Sequence, residues 1–209
     1  MGFLSEQCTL RVLDREILAT SRIFSCGHPD LDDFFFNEAL DYYNQLIGKT
    51  YCFVLDDDPH VIVCAFTLSN DSIKTERLPN ARVKRLRKNI PREKHMKSYP
   101  AVLIGRLGVN QEYKRRGIGV ELMDFIKGWF IDPFNKTGCR YLVADSYNEK
   151  NALDYYQRNG FEFIFSSKEQ EKANLGIAPE YELKTRFMYF DLIVLNIGEL
   201  SDDKNNMER

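Results

Sequence analysis

No stretch of the 209-residue chain approaches the ~18–20 consecutive apolar residues of a membrane-spanning helix, so none is expected. The N-terminal segment, with Glu6, Arg11, Asp14 and Arg15, lacks the basic-then-apolar layout of a secretion signal, which predicts a cytoplasmic protein. The five cysteines (Cys8, Cys26, Cys52, Cys64 and Cys139) are odd in number and scattered, with neither a CxxC pair nor a Cys/His cluster at metal-ligand spacing. That argues against a disulfide scaffold or a metal site and for reduced, mostly buried thiols. Glycine and proline, at 12 and 7 residues, are too few and too irregular for a collagen-like or low-complexity chain. No internal repeat and no Gly/Ser-rich linker is visible, which predicts one domain over residues 1–200 and a polar tail of mixed charge over 201–209.

What is present is enough to build a core: 44% of the residues are apolar and 29% charged. The formal charge of −2 conceals a basic stretch, since residues 77–97 hold nine Lys/Arg and one acid, Glu93. Hydrophobic period then divides the chain into elements. Residues 8–13 read as a first strand, and 30–46 place Leu31, Phe34, Phe35, Ala39, Tyr42, Tyr43 and Leu46 on one face of one or two helices. Residues 51–55 and 61–68 form a hairpin across an acidic turn, and 101–109 is a buried central strand apart from Arg106. A helix over 117–130, a strand at 141–144, a helix over 150–158 and strands at 161–165 and 185–192 complete the pattern. The sum is an α+β (α/β) domain with a mixed central sheet of about seven strands and helices on both faces.

One segment carries chemistry. The apolar strand ends in Arg106-Leu107-Gly108-Val109, and after a short connection Lys114, Arg115, Arg116, Gly117, Ile118 and Gly119 open an amphipathic helix. First-turn N–H groups lack intrahelical acceptors and the helix dipole adds positive charge, so this start is suited to an anion. The glycines admit a phosphate close to the backbone and the basic side chains add charge, which suits a pyrophosphate. In isolation the same residues also suit a tight turn with solvated basic side chains.

Further on comes Tyr155-Tyr156-Gln157-Arg158-Asn159-Gly160-Phe161. The pair of motifs resembles the GNAT superfamily of acetyl-CoA-dependent N-acetyltransferases, whose pyrophosphate loop reads Q/R-x-x-G-x-G/A and whose later helix often ends in Y-x-x-x-G-F. Lys114 stands at the first loop position and keeps a donor and a charge. Phe24-Ser25-Cys26-Gly27, Leu31-Asp32-Asp33-Phe34, Tyr51-Cys52-Phe53-Val54 and the run from Ile104 to Val109 are similar to the GNAT-fold toxins of bacterial toxin–antitoxin modules, which acetylate aminoacyl-tRNA. The common form of those toxins has Ala where this chain has Gly108 and Asp where it has Asn110.

The resemblance implies acetyl-CoA as cofactor and a splayed strand pair, with Leu107, Gly108 and Val109 lining the pantetheine arm. It implies that the Val109 N–H holds the thioester oxygen and that Tyr156 protonates the departing thiolate. A phenol of pKa ~10 is protonated at neutral pH, although the same ring would serve as packing. No Asp or Glu lies between positions 101 and 110 to act as a base. A lysine acceptor of pKa ~10.4 would need one, whereas an α-amino group of pKa ~7.7–8.0 would not. Lys84, Arg85, Arg87, Lys88 and Arg92 would grip a phosphate backbone, or form a solvated face. Arg106 either pairs with a buried carboxylate or reaches the acceptor pocket. The resulting expectation is a translation-blocking enzyme acting on aminoacyl-tRNA, with a homodimeric state and an antitoxin partner implied by the resemblance. The competing expectations are acetylation of a small amine or protein N-terminus, and a non-catalytic coenzyme A-binding module.

Overall fold

The computed structural model describes residues 2–88, 90 and 96–195. In chain order the regular elements are α1 (Phe3–Gln7), β1 (Cys8–Val12), α2 (Arg15–Thr20), α3 (Pro29–Asp33), α4 (Ala39–Asn44), β2 (Lys49–Leu55), β3 (Ile62–Lys74), α5 (Asn80–Arg87) and β4 (Ser98–Val109). They continue with α6 (Ile118–Ile131), β5 (Tyr141–Tyr147), α7 (Lys150–Arg158), β6 (Glu162–Phe163), α8 (Lys168–Leu175) and β7 (Thr185–Asp191). The seven strands are ordered β1-β2-β3-β4-β5-β7-β6, an α+β arrangement with the expected strand count. Contacts gather into two compact units, Met1–Asn70 with Leu103–Ile126 and Asp71–Val102 with Lys127–Arg209. The tail over 201–209 lies outside the described residues.

In the first unit β1, β2 and β3 pair antiparallel, and β2 and the start of β3 bury residues on both faces. Successive side chains of a strand point to opposite faces. A register shift between Phe53 and Val54 breaks the alternation and puts Cys52, Val54, Ile62 and Ala65 on one face, packed under Ile17, Phe34, Phe35 and Ala39 of the helical segments. Phe53 and Phe66 turn the other way and meet Phe125 of α6 edge-on, with ring centroids 5.1 and 6.4 Å away. Helices cover both faces there. The expected helix over 30–46 is three pieces: α3, a π-helical turn at Phe34–Glu38, and α4. The turn seats Phe34, Phe35 and Ala39 in the core and leaves Phe36 outside.

The second unit pairs β5 and β6 antiparallel to β7. Tyr141 stacks edge-on to Tyr99 and Tyr189 and donates its hydroxyl proton to the Leu86 carbonyl at 2.7 Å, holding the end of α5. Two helices here were not expected from period, α5 in the basic stretch and α8. In α8 the buried residue is Glu171, a charged side chain that a hydrophobic pattern does not register.

Candidate functional site

β4 passes into α6 through a connection whose geometry starts at Asn110. This nearly buried amide donates from Nδ2 to the Ile62 carbonyl (2.9 Å), accepts the Glu112 N–H (3.2 Å) and donates its backbone N–H to Val63 (2.9 Å). It needs a donor and an acceptor on one side chain. A carboxylate supplies only acceptors, and one oxygen would face the Ile62 carbonyl. Asn110→Asp is therefore expected to cost about 1–3 kcal/mol, the penalty of an unmet buried polar group, read as a lower denaturant midpoint with unchanged slope. A midpoint equal to wild type would show that the amide donation does not stabilise the turn.

Beyond it, Arg115 and Gly117 both take left-handed backbone conformations, with φ of 62° and 81°. A non-glycine residue there stores roughly 1–2 kcal/mol of strain. Left-handed residues set close together curl the chain so that successive N–H groups converge on one concavity, an arrangement suited to an anion. A Cβ added at Gly117 would meet nothing within 4 Å, so glycine serves its backbone angle and leaves that side open. The Gly117 carbonyl accepts from Val120 and Glu121 and begins α6. Lys114, Arg115 and Arg116 are exposed, whereas the Ile118 side chain is buried, so only its backbone could serve a ligand. Gly119 lies in the first helical turn, partly exposed. Glu121, an acid in that turn, accepts the Ser5 N–H at 3.1 Å.

At the end of β4, Leu107 and Val109 are half-buried and Gly108 is buried. A Cβ at Gly108 would come within 3.0 Å of Cys26 Cβ and 3.1 Å of Phe35 Cε2. Close packing accounts for this glycine, because its φ lies outside the left-handed region. Cys26 is held there by Asp32, whose carboxylate accepts the Ser25 hydroxyl and the Cys26 N–H, both at 2.7 Å. Burial opposes ionisation of Asp32, but donors from Ser25, Cys26 and Gly27 outweigh it and lower its pKa. Gln111 ties the same loop to the turn, donating Nε2 to Ser25 Oγ at 2.8 Å. Burial first, then the hydrogen bond to Asp32, pushes the Cys26 thiol up to about 11, so it is not a nucleophile at neutral pH.

Arg106 meets no carboxylate at ion-pairing distance among the described residues, so the buried partner offered as one alternative is not found there. Its Nη1 donates to the Gly105 carbonyl at 2.9 Å, its guanidinium carbon lies 4.9 Å from the Phe34 ring centroid, and its Nε is buried without an acceptor.

In the second unit Tyr156 sits on α7, 9% exposed, with Tyr155 and Phe161 rings at 5.3 and 5.2 Å. Burial, then the charge of Asp145, pushes its pKa above the ordinary tyrosine value. Its carbonyl accepts from Phe161, and Gly160, with φ of 80°, turns the chain between them. The helix end is further held by Lys127, a buried cation that donates to the Asn159 carbonyl at 2.8 Å and lies 4.4 Å from the Phe190 centroid. Sequence reasoning did not single out Lys127, since a lysine on an amphipathic helix reads as solvated. Asn148 donates from Nδ2 to the Leu183 carbonyl at 2.9 Å. Asp145 also escaped notice: it keeps exposed surface on β5, but packing around its carboxyl and then the charges of Asp71 and Glu171 raise its pKa.

The basic stretch divides. Lys84 and Lys88 are exposed. Arg85 pairs with Glu162 at 2.7 Å, and Arg87 donates to the Tyr99 hydroxyl and the Met96 carbonyl, both at 3.1 Å. Arg92 lies outside the described residues. No His/Cys/Asp/Glu group that could hold a metal ion occurs among the described residues, and no described helix is long and apolar enough to cross a membrane.

A mixed sheet whose central strand feeds a curled, basic turn at a helix start defines an acyl-transferring α+β enzyme. The acetyltransferase (GNAT) domain matches residues 48–163, more than half of the chain, and the protein belongs to that family of N-acetyltransferases. Among solved structures the chain is similar to AtaT complexed with acetyl-methionyl-tRNAfMet, at 18% identity and a TM-score of 0.60, covering 91% of this chain and 98% of that one. It is similar to a tyrosine-to-phenylalanine mutant of KacT, at 18% identity, a TM-score of 0.61 and the same coverages. The AtaTR complex bound with AcCoA gives 15% identity and a TM-score of 0.58, over 92% and 98%. At these identities the likeness is one of fold. No curated protein matches the chain.

Proposed function

We propose that this protein transfers the acetyl group of acetyl-CoA directly to the α-amino group of an aminoacyl-tRNA, and so blocks translation as a toxin does. The observation that carries the cofactor part is the turn at Arg115–Gly119, where two left-handed residues, an open Gly117 face and three exposed cations suit a diphosphate. Bound there, acetyl-CoA supplies an activated thioester. Lys114, Arg115 and Arg116 would balance its charge, the backbone of Gly117, Ile118 and Gly119 would hold the diphosphate, and Leu107, Gly108 and Val109 would run beside the pantetheine. The Val109 N–H would polarise the carbonyl as the amine nitrogen bonds to its carbon. When the carbon–sulfur bond breaks, Tyr156 would give its hydroxyl hydrogen to the sulfur, the amine's surplus proton would pass to water, and water would return a proton to the tyrosinate.

The acceptor part is supported by the lack of an acid over residues 101–110, which an α-amine tolerates and a lysine does not, and by the likeness to AtaT caught with acetylated tRNA. Incubation with labelled acetyl-CoA and total charged tRNA tests it: label on the aminoacyl end is expected. A small amine or protein N-terminus is the second reading, favoured by the internal engagement of Arg85 and Arg87; label on those acceptors alone would select it. Binding without turnover would select a non-catalytic coenzyme-binding module. Lys84 and Lys88 remain available for RNA phosphates. Neutralising both is expected to reduce the steepness of log affinity against log salt by about 1–2, and an unchanged slope would return them to a solvated face. A second copy of the chain and a small antitoxin are the proposed protein partners, and the antitoxin is supported by the likeness to an AtaT mutant toxin bound to the C-terminus of the antitoxin AtaR.

A further inference from the structure

Arg106 is a half-buried, permanently charged residue that meets no carboxylate at ion-pairing distance among the described residues. Its side chain and the Gly108 position share a face of β4, because they are two residues apart on a strand. Both lie against the segment containing the π-helical turn, Arg106 over Phe34 and Gly108 beside Phe35. A guanidinium resting on an aromatic face keeps its N–H edge directed sideways in the ring plane. One N–H is met by the Gly105 carbonyl, and the buried Nε has no acceptor. Arginine cannot shed its proton, and its Nε has no exposed surface, so the complementary group is an anion that meets the outer Nη edge of the guanidinium.

The geometry points to Arg106 as the specificity-determining group that binds the acceptor's phosphodiester nearest the reacting amine. This rests on the proposed function. Val109, the thioester-polarising residue of that proposal, follows three positions later, about 10 Å along the strand at β rise. An aminoacyl ester has no carboxylate of its own; its nearest anion is the phosphate one ribose away from the ester. A lysine side chain or a small amine presents no anion at a fixed distance. Arg106 would therefore separate charged tRNA from other amines.

Two acceptors that differ by one phosphate test this: 3′-aminoacyl-adenosine 5′-phosphate and 3′-aminoacyl-adenosine. The wild-type enzyme is expected to favour the phosphorylated acceptor at least tenfold in kcat/KM, mainly through KM. Arg106→Gln should reduce that ratio at least tenfold, and Arg106→Lys by less, since it keeps the charge and loses the fork. A wild-type ratio near one overturns the inference while leaving acetylation of aminoacyl esters intact, and needs no variant to fold. Equal losses on both acceptors in Arg106→Gln would mark a structural residue and also overturn it. So would a matching loss of acetyl-CoA affinity in calorimetry, since the anion would then be the coenzyme's. Failure of the wild type to acetylate either ester or charged tRNA refutes the underlying function, and the inference with it.

Discussion

Tyr156→Phe is expected to lower turnover at least tenfold, the range for a lost proton donor, with acetyl-CoA affinity retained. Burial and the neighbouring Asp145 both favour the neutral phenol, so its folded pKa lies above the usual ~10. Two consequences have definite signs. Turnover should rise as the acceptor amine deprotonates, near pH 7.7–8.0 or lower (roughly, for an α-amine), and then stay level through pH 10. An alkaline fall centred below pH 10 would remove Tyr156 from the role. The folded state also holds this proton more tightly than the unfolded chain, so its contribution to stability is complete below pH ~10 and declines as pH rises past that value. A phenol pushed upward is a reluctant acid towards a thiolate of pKa ~8.5, so in the proposed role Tyr156 would pass its proton across only as charge builds on the sulfur. Unchanged turnover in the phenylalanine variant would leave the ring as packing between Tyr155 and Phe161.

The largest stability effect is expected at Glu171. One carboxylate oxygen meets Arg186 Nε at 2.6 Å and the other accepts the Phe187 N–H at 2.7 Å, with the two side chains 2% and 7% exposed. Arg186 also lies 4.4 Å from the Phe163 centroid. Glu171→Ala strands a buried guanidinium, at a cost of about 3–5 kcal/mol. At roughly 2–4 °C per kcal/mol for a chain of this size, the melting temperature should fall by about 10 °C. Replacing both partners by Met should recover most of the loss, since no charge is then left unpaired. A single variant that melts with the wild type would mean that the pair is solvated in solution.

Some of this was legible before any coordinates. Two short apolar runs joined by the acidic turn Asp56-Asp57-Asp58-Pro59 placed β2 and the start of β3, because a strand covered on both faces is apolar throughout. Residues 150–158 carry their own stop in Asn159-Gly160, and α7 spans that range. The two glycine-bearing motifs identified the family because they record backbone conformations that few other residues can adopt. The basic stretch shows the opposite case. Its nine cations looked alike in the sequence, yet Arg85 and Arg87 are engaged inside their own unit while Lys84 and Lys88 face solvent.

What the sequence determined by itself was the fold class and the loop that suits a diphosphate, since both follow from local period and local backbone freedom. Tertiary structure alone decided why Asn stands at 110, why no side chain fits at 108, and that Arg106 lies on Phe34 with no carboxylate partner among the described residues. Those facts depend on atoms brought together from distant positions, and neither period nor spacing records which polar group will meet another across a folded core.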